Sequence, residues 1–111
     1  MAQAQARRDT WTFLTNHARV LAAVADEPDS RLRDIAARCD LTERAVQAII
    51  ADLEHAGYLT HARVGRRNMY NVVPGTHLRH RADSGKTVAD LLALDIERRD
   101  RGAAPAEDSP P

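Results

Sequence analysis

Two groups of side chains in this 111-residue chain have the types and spacing to do chemistry. The first is Arg44 with Gln47, set on the same stretch as Thr42 and Glu43. An arginine can present two parallel N–H donors to the acceptors of guanine, and a glutamine can pair bidentately with adenine. A threonine hydroxyl and the free amides of a helix's first turn can together meet a phosphate. The second group is Arg66, Arg67 and Asn68 after Gly65, with Arg63 just before. Guanidinium groups held at a turn, away from a core, can reach a phosphate or a narrow, electronegative groove.

Each group also has a plain reading. The first fits the solvated face of an amphipathic helix, and Gly-Arg-Arg-Asn is good turn chemistry in its own right. Charge distribution separates the readings. The chain has 16 basic and 16 acidic residues and no net charge. From Tyr58 to Arg81, however, there are five arginines and no acid, whereas Ala82 to Pro111 holds four basic residues against seven acidic ones. Neutrality therefore conceals a basic segment and an acidic tail, and the basic segment is the footprint expected of a nucleic-acid contact. One feature opposes it. Glu43 to Ala56 carries Arg44 against Glu43, Asp52 and Glu54, a net charge of −2. That helix adds little to the electrostatic part of binding. Ile49, if exposed on it, would suit a protein partner.

Other chemistries find less support. His61, His77 and His80 raise the question of a metal, but the His77-x-x-His80 spacing is useful only on a helix, and its surroundings do not read as one. The single cysteine, Cys39, lies elsewhere, so these histidines read as surface residues or phosphate-side donors and no metal is expected. Cys39 itself reads as a small buried hydrophobe. There is no nucleophile motif, no glycine-rich phosphate loop and no paired carboxylates, so an enzyme is not expected. No cofactor is expected either, since aromatics make up only 4% of the chain and no polar cluster marks a large pocket.

The elements that must position these groups follow from periodicity. Val46, Ile50 and Leu53 lie at i, i+4 and i+7, so Thr42–Ala56 reads as a helix with Thr42 as its N-cap and Gly57 just past its end. Tyr58–Val64 and Met69–Val73 are β-branched and aromatic runs around Gly65-Arg66-Arg67-Asn68, which predicts a hairpin. Upstream, Trp11 to Asp26 carries an apolar face through Leu14, Ala18, Leu21 and Ala25, and Pro28 breaks it. Arg31-Leu32 suits a one-rung strand against the hairpin. A short helix over Arg33–Cys39 and a turn at Asp40-Leu41 lead into the third helix. Downstream, Pro74-Gly75 ends the hairpin and residues 76–86 read as a basic loop. Thr87 with Asp90 forms a partial capping box for a last helix over 87–100. The expectation is one mainly α domain with a small β-hairpin, an α+β arrangement.

This order of parts resembles the winged helix-turn-helix of MarR- and ArsR-like bacterial transcriptional regulators. The residues that carry the resemblance are Leu32-Arg33-Asp34-Ile35-Ala36, Leu41-Thr42-Glu43-Arg44-Ala45-Val46 and Leu53-Glu54-His55-Ala56-Gly57-Tyr58-Leu59. It covers about Trp11 to Val73. It implies that residues 11–75 bind double-stranded DNA, with helix 42–56 in the major groove and the wing, 58–73, on the backbone or minor groove. The DNA-binding residues are then Thr42, Glu43, Arg44, Gln47, Arg63, Arg66, Arg67 and Asn68. The apolar stripe of the last helix, Val88, Leu91, Leu92 and Ile96, is wide for so small a body. It is expected to pack against a second copy, making a homodimer that reads an inverted repeat; the other reading folds it back onto its own first helix.

Residues 1–10 and 101–111 are expected to be flexible and disordered. The chain start lacks the apolar run of a secretory signal, and no apolar run approaches a membrane span, so a cytoplasmic protein is expected. The rival reading is a winged-helix module that binds protein and not specific DNA.

Overall fold

The helix expected from Trp11 starts at Asn16, with Thr15 as its N-cap. In the computed structural model, which describes residues 10–94, the Thr15 backbone is extended and its hydroxyl accepts from the Ala18 amide at 3.2 Å. This N-cap satisfies a first-turn donor, so α1 runs Asn16–Asp26. Trp11 and Phe13 lie ahead of it, edge to face at 5.0 Å between centroids and 61% and 90% exposed.

Arg31-Leu32 does not make the expected strand rung. The Arg31 carbonyl accepts from the Asp34 and Ile35 amides, each at 3.0 Å, and so opens α2, Leu32–Cys39. The rung comes from Pro28, whose carbonyl accepts the Tyr70 N–H at 2.9 Å and ties the hairpin to the α1–α2 loop. Asp40 then takes a left-handed conformation, φ 59°, and the Leu41 amide closes back on the Ala36 carbonyl at 2.9 Å. Aspartate tolerates this region better than most residues. It delivers the chain to Thr42, whose hydroxyl accepts from the Ala45 amide at 3.0 Å and caps α3, Glu43–His55.

At the far end of α3, Gly57 has φ 85° and the Tyr58 amide donates to the Leu53 carbonyl at 2.9 Å, a left-handed exit of the kind glycine favours. The chain leaves directly into β1, Leu59–Val64, which pairs antiparallel with β2, Arg67–Val72. Val64 lies opposite Arg67, so the turn is the two residues Gly65-Arg66, with Gly65 at φ 64°. The turn is therefore shorter than the four-residue tip that Gly-Arg-Arg-Asn suggests. Glycine at the first central position closes the tighter turn, and Arg67 and Asn68 belong to the strand.

The core gathers Val20 and Val24 of α1, Ile35 of α2, Val46 of α3 and Leu59 of β1, all fully buried or nearly so. Ile49 is only 7% exposed and joins them, so the apolar face of α3 is broader than the Val46, Ile50, Leu53 stripe and Ile49 is not a partner-facing residue.

Residues 76–86 are tied down more firmly than a plain loop. The Thr76 hydroxyl donates to the Gly57 carbonyl at 2.9 Å, His77 and Thr87 form a β-bridge, and a 3-10 turn spans Arg81–Asp83. The Val88 amide donates to the Thr76 carbonyl at 2.9 Å. These bonds set the start of the last helix, α4, described over 88–94, onto the chain's own body. Val88 and Leu92 are therefore core residues, with Leu91 partly buried against them. Of the residues expected to face a second copy, Val88 and Leu92 are thus packed at home and Leu91 is half-buried, while Leu94 points outward. Ile96, residues 1–9 and the tail 101–111 lie outside the described residues.

Leu59→Ala removes the side chain that seats the wing and should cost about 2–5 kcal/mol in urea unfolding, whereas exposed Val64→Ala should stay within about 0.5 kcal/mol. At α4 the Thr87 amide donates to Asp90 Oδ2 at 2.8 Å, and this bond holds the Asp90 carboxyl below its ordinary pKa. A depressed carboxylate pKa stabilises the fold above the unfolded-state value, and that contribution disappears as pH falls through the folded value. Acid titration followed by amide NMR should show Thr87 losing this bond below the ordinary carboxylate range; Asp90→Asn should abolish that transition.

Candidate nucleic-acid interface

The turn at Asp40-Leu41 and the cap at Thr42 present the first turn of α3 outward. Glu43, Arg44 and Gln47 are all exposed, and Glu43 and Gln47 are one turn apart on the same helical face. The Thr42 hydroxyl oxygen accepts the Ala45 amide, which leaves its O–H available to an incoming acceptor.

The hairpin register arranges the wing. Leu59 faces Val72, His61 faces Tyr70 and Arg63 faces Asn68, and side chains two apart share a face. One face of the wing thus runs from apolar at its root to polar and cationic near its tip. Arg63 donates to Asn68 Oδ1 at 3.5 Å, and Arg66 occupies the turn itself. Arg67 lies 3.5 Å from Asp29 in the α1–α2 loop, with both side chains about half exposed.

These pieces meet in an open cleft of about 500 Å³ between the wing and the start of α2. Arg63, Arg66, Arg67 and Asn68 line it from the wing, and Glu43 lines it from α3. The structure thus brings five of the eight sequence-expected residues together. Arg44, Gln47 and Thr42 do not line the cleft but sit beside Glu43 on the same helix end. Two basic lining residues, Arg31 and Arg33, were not among those expected. Their signal is present in the sequence, since two arginines flank Leu32 at a helix start, but a strand rung at Arg31-Leu32 would employ only the backbone there.

The acids of α3 oppose this site less than their number suggests. His17 of α1 lies 2.8 Å from Asp52, and His61 of β1 is hydrogen-bonded to Glu54. Both acids belong to the last turns of α3 and are engaged by histidines. Only Glu43 opens onto the cleft.

Among the described residues no three His, Cys, Asp or Glu side chains converge as a metal-binding group. His77 donates from Nδ1 to the Ser84 carbonyl at 2.8 Å, and His80 Nδ1 accepts from the Ala82 amide at 3.0 Å. Burial pushes the Cys39 thiol above its ordinary pKa, and Arg38 and Arg19 only partly offset this. A second cleft, of about 590 Å³, shares no lining residue with the first and is bounded by Leu14, Leu21, Leu53, Tyr58 and Val88. Among the described residues no helix is long and apolar enough to cross a membrane.

A family model described as MarR family matches residues 12–67, half of the chain. The chain belongs to the MarR family. Of the two groups its sequence resembles, the match selects this one. Solved MarR-type structures share its fold. Streptococcus pneumoniae FabT, solved in complex with DNA, is 13% identical with a TM-score of 0.52, covering 83% of this chain and 58% of that one. MepR, a transcription regulator of the Staphylococcus aureus multidrug efflux pump MepA, is 12% identical with a TM-score of 0.52 over 93% of this chain and 73% of that one. A MarR family transcriptional regulator from Silicibacter pomeroyi is 16% identical, also at 0.52, over 93% and 67%. The chain thus spans under two thirds of the FabT chain. No curated protein matches it significantly.

The raised, buried Cys39 thiol leads to a direct expectation, because the thiolate is the reactive form. A disulfide-exchange reagent should label Cys39 slowly in the native protein and quickly in denaturant. Fast native labelling would show that α2 opens readily.

Proposed function

We propose that this MarR-family chain is a sequence-specific DNA-binding transcriptional regulator acting in the cytoplasm as a homodimer, with no catalytic step and no bound cofactor. The observation that carries the reading is the basic cleft itself, in which the wing arginines and the exposed start of α3 border one open surface. The family's solved regulators, one of them bound to DNA, support it. In this reading α3 enters the major groove, with Arg44 and Gln47 on base edges and Thr42 on a phosphate. The wing, through Arg63, Arg66, Arg67 and Asn68, holds flanking backbone or minor groove. Two-fold pairing would set two such helices about one helical turn apart on an inverted repeat. With Val88 and Leu92 in the chain's own core, the subunit contact falls to other exposed apolar residues, of which Trp11, Phe13 and Leu94 are the largest near the ends of the described segment.

The protein-binding alternative rests on an exposed Ile49 and an acidic α3. Ile49 is buried, and Asp52 and Glu54 are paired with histidines. Its support is accordingly reduced.

Selection from a random duplex pool should return a palindromic consensus. Arg44→Ala or Gln47→Ala should relax base preference at one position of each half-site, by about 1–3 kcal/mol. Arg66→Ala should instead weaken binding to all sequences alike and flatten its salt dependence by about one unit of slope for each phosphate no longer held. Wild-type protein that fails to bind random duplex at micromolar concentration and low salt would overturn the reading.

A further inference from the structure

We propose that the cleft between the wing and α2 is a seat for one backbone phosphate of DNA, held jointly by Arg31 and Arg33 of α2 and by the wing arginines, and that Asp29 is an internal rival that occupies Arg67 until this phosphate arrives. The proposal rests on the DNA-binding reading and names, within that site, ligands outside both the recognition helix and the wing.

Three observations carry it. First, five guanidinium groups, Arg31, Arg33, Arg63, Arg66 and Arg67, line one open cleft, and Glu43 is the only acid among the lining residues. Like charges gathered in a concave surface repel one another and raise the local positive potential, so the arrangement is favourable only when an anion enters. Second, among the described residues Arg31, Arg33 and Arg66 form no ion pair, although Asp26 at the end of α1 and Asp29 on the adjoining loop each engage an arginine, Arg38 and Arg67 respectively. Arg31 stands at the N-cap of α2 without a side-chain capping bond, so its side chain has no role in holding the helix start. Third, the wing does not stand free of α2. The Tyr70 amide is bonded to the Pro28 carbonyl at 2.9 Å, which fixes the distance between the two walls of the cleft. A seat with preset walls binds its anion without first ordering a loop.

The Asp29 carboxylate chemically resembles one face of a phosphate. Its contact with Arg67 is long, at 3.5 Å, and half exposed, a pair that water and salt screen strongly. A phosphate offers more acceptor oxygens to the same planar guanidinium and can displace it. Asp29 would thus hold Arg67 aimed across the cleft in the free protein and would also weaken every binding event equally, whatever the sequence.

The test is a salt titration of the full chain on random-sequence duplex, read by fluorescence anisotropy, for wild type, R31A/R33A, R66A and D29N. R31A/R33A should lower the slope of log affinity against log salt by about one per protomer, since each neutralised phosphate contributes about 0.9. R31K/R33K should restore most of it. D29N should bind several-fold more tightly at each salt concentration. Should R31A/R33A shift the urea midpoint, R31Q/R33Q retains the side-chain stems and removes only the charge. A wild-type slope in the charge-removed variants, with a reduced slope in R66A, would overturn the seat while leaving DNA binding intact. Equal affinity of D29N and wild type would overturn the role of Asp29. Absence of wild-type binding would instead remove the functional reading beneath both.

Discussion

The chain leaves α3 through one left-handed residue, Gly57, and the geometry of the whole surface is set at that bend. The Tyr58 amide closes on the Leu53 carbonyl, and Tyr58 and Leu59 are then buried immediately. No slack remains between the last turn of the helix and the first pair of the hairpin. The Pro28 carbonyl fastens the second strand to the opposite wall, and Thr76 bonds back to the Gly57 carbonyl from outside. A wing attached at three places to the rest of the chain cannot swing far without breaking hydrogen bonds or exposing Leu59. The arginines it carries are therefore held in a fixed relation to the start of α3.

Charge in this protein is managed by position. A balanced composition does not preclude a basic surface; it requires that acids be placed elsewhere or engaged. Both devices are visible. Residues 58–81 contain no acid at all, and the acids late in α3 face His17 and His61. Exposed pairs of this sort contribute about 0–1 kcal/mol to stability, so folding does not explain them well.

Legibility in the sequence followed how local the cause was. Thr42 as a cap, Gly57 as an exit and the Asp40-Leu41 turn depend on residues within one helical turn, and all three are readable from type and spacing. So is the Thr87–Asp90 box. Boundaries decided by competition are less clear. Trp11 fits a helical stripe, but Thr15 offers a cap and wins. Gly-Arg-Arg-Asn suits either a four-residue or a two-residue turn, and the pairing of Val64 with Arg67 decides for the shorter. Relations between distant segments are not readable at all. Burial of Ile49, the docking of Val88 and Leu92, the rung made by Pro28 and the convergence of Arg31 and Arg33 on the wing each depend on tertiary placement. Within the site, the wing and helix residues can be nominated one by one, whereas the wall that faces them cannot.

The sparseness of the basic surface has a consequence for how selectivity arises. A protein coated in lysine grips any duplex through released counterions, and its base contacts must then compete with that large sequence-blind term. Here the net charge is zero, and among the described residues four arginines without an ion pair, Arg31, Arg33, Arg63 and Arg66, line one cleft. The sequence-blind term is correspondingly small. If α3 enters the major groove as proposed, Arg44, Gln47 and the short side chains of Ala48 and Ala51 would contribute a larger share of the total. In the same proposed role Glu43 would sharpen the effect, because a carboxylate beside the cleft penalises misplaced phosphate while remaining able to accept from a cytosine amino group. A neutral regulator is then not a weakened version of a basic one. In the proposed DNA-binding role it would give up affinity for DNA in general, and the ratio between its right and wrong sites would rise.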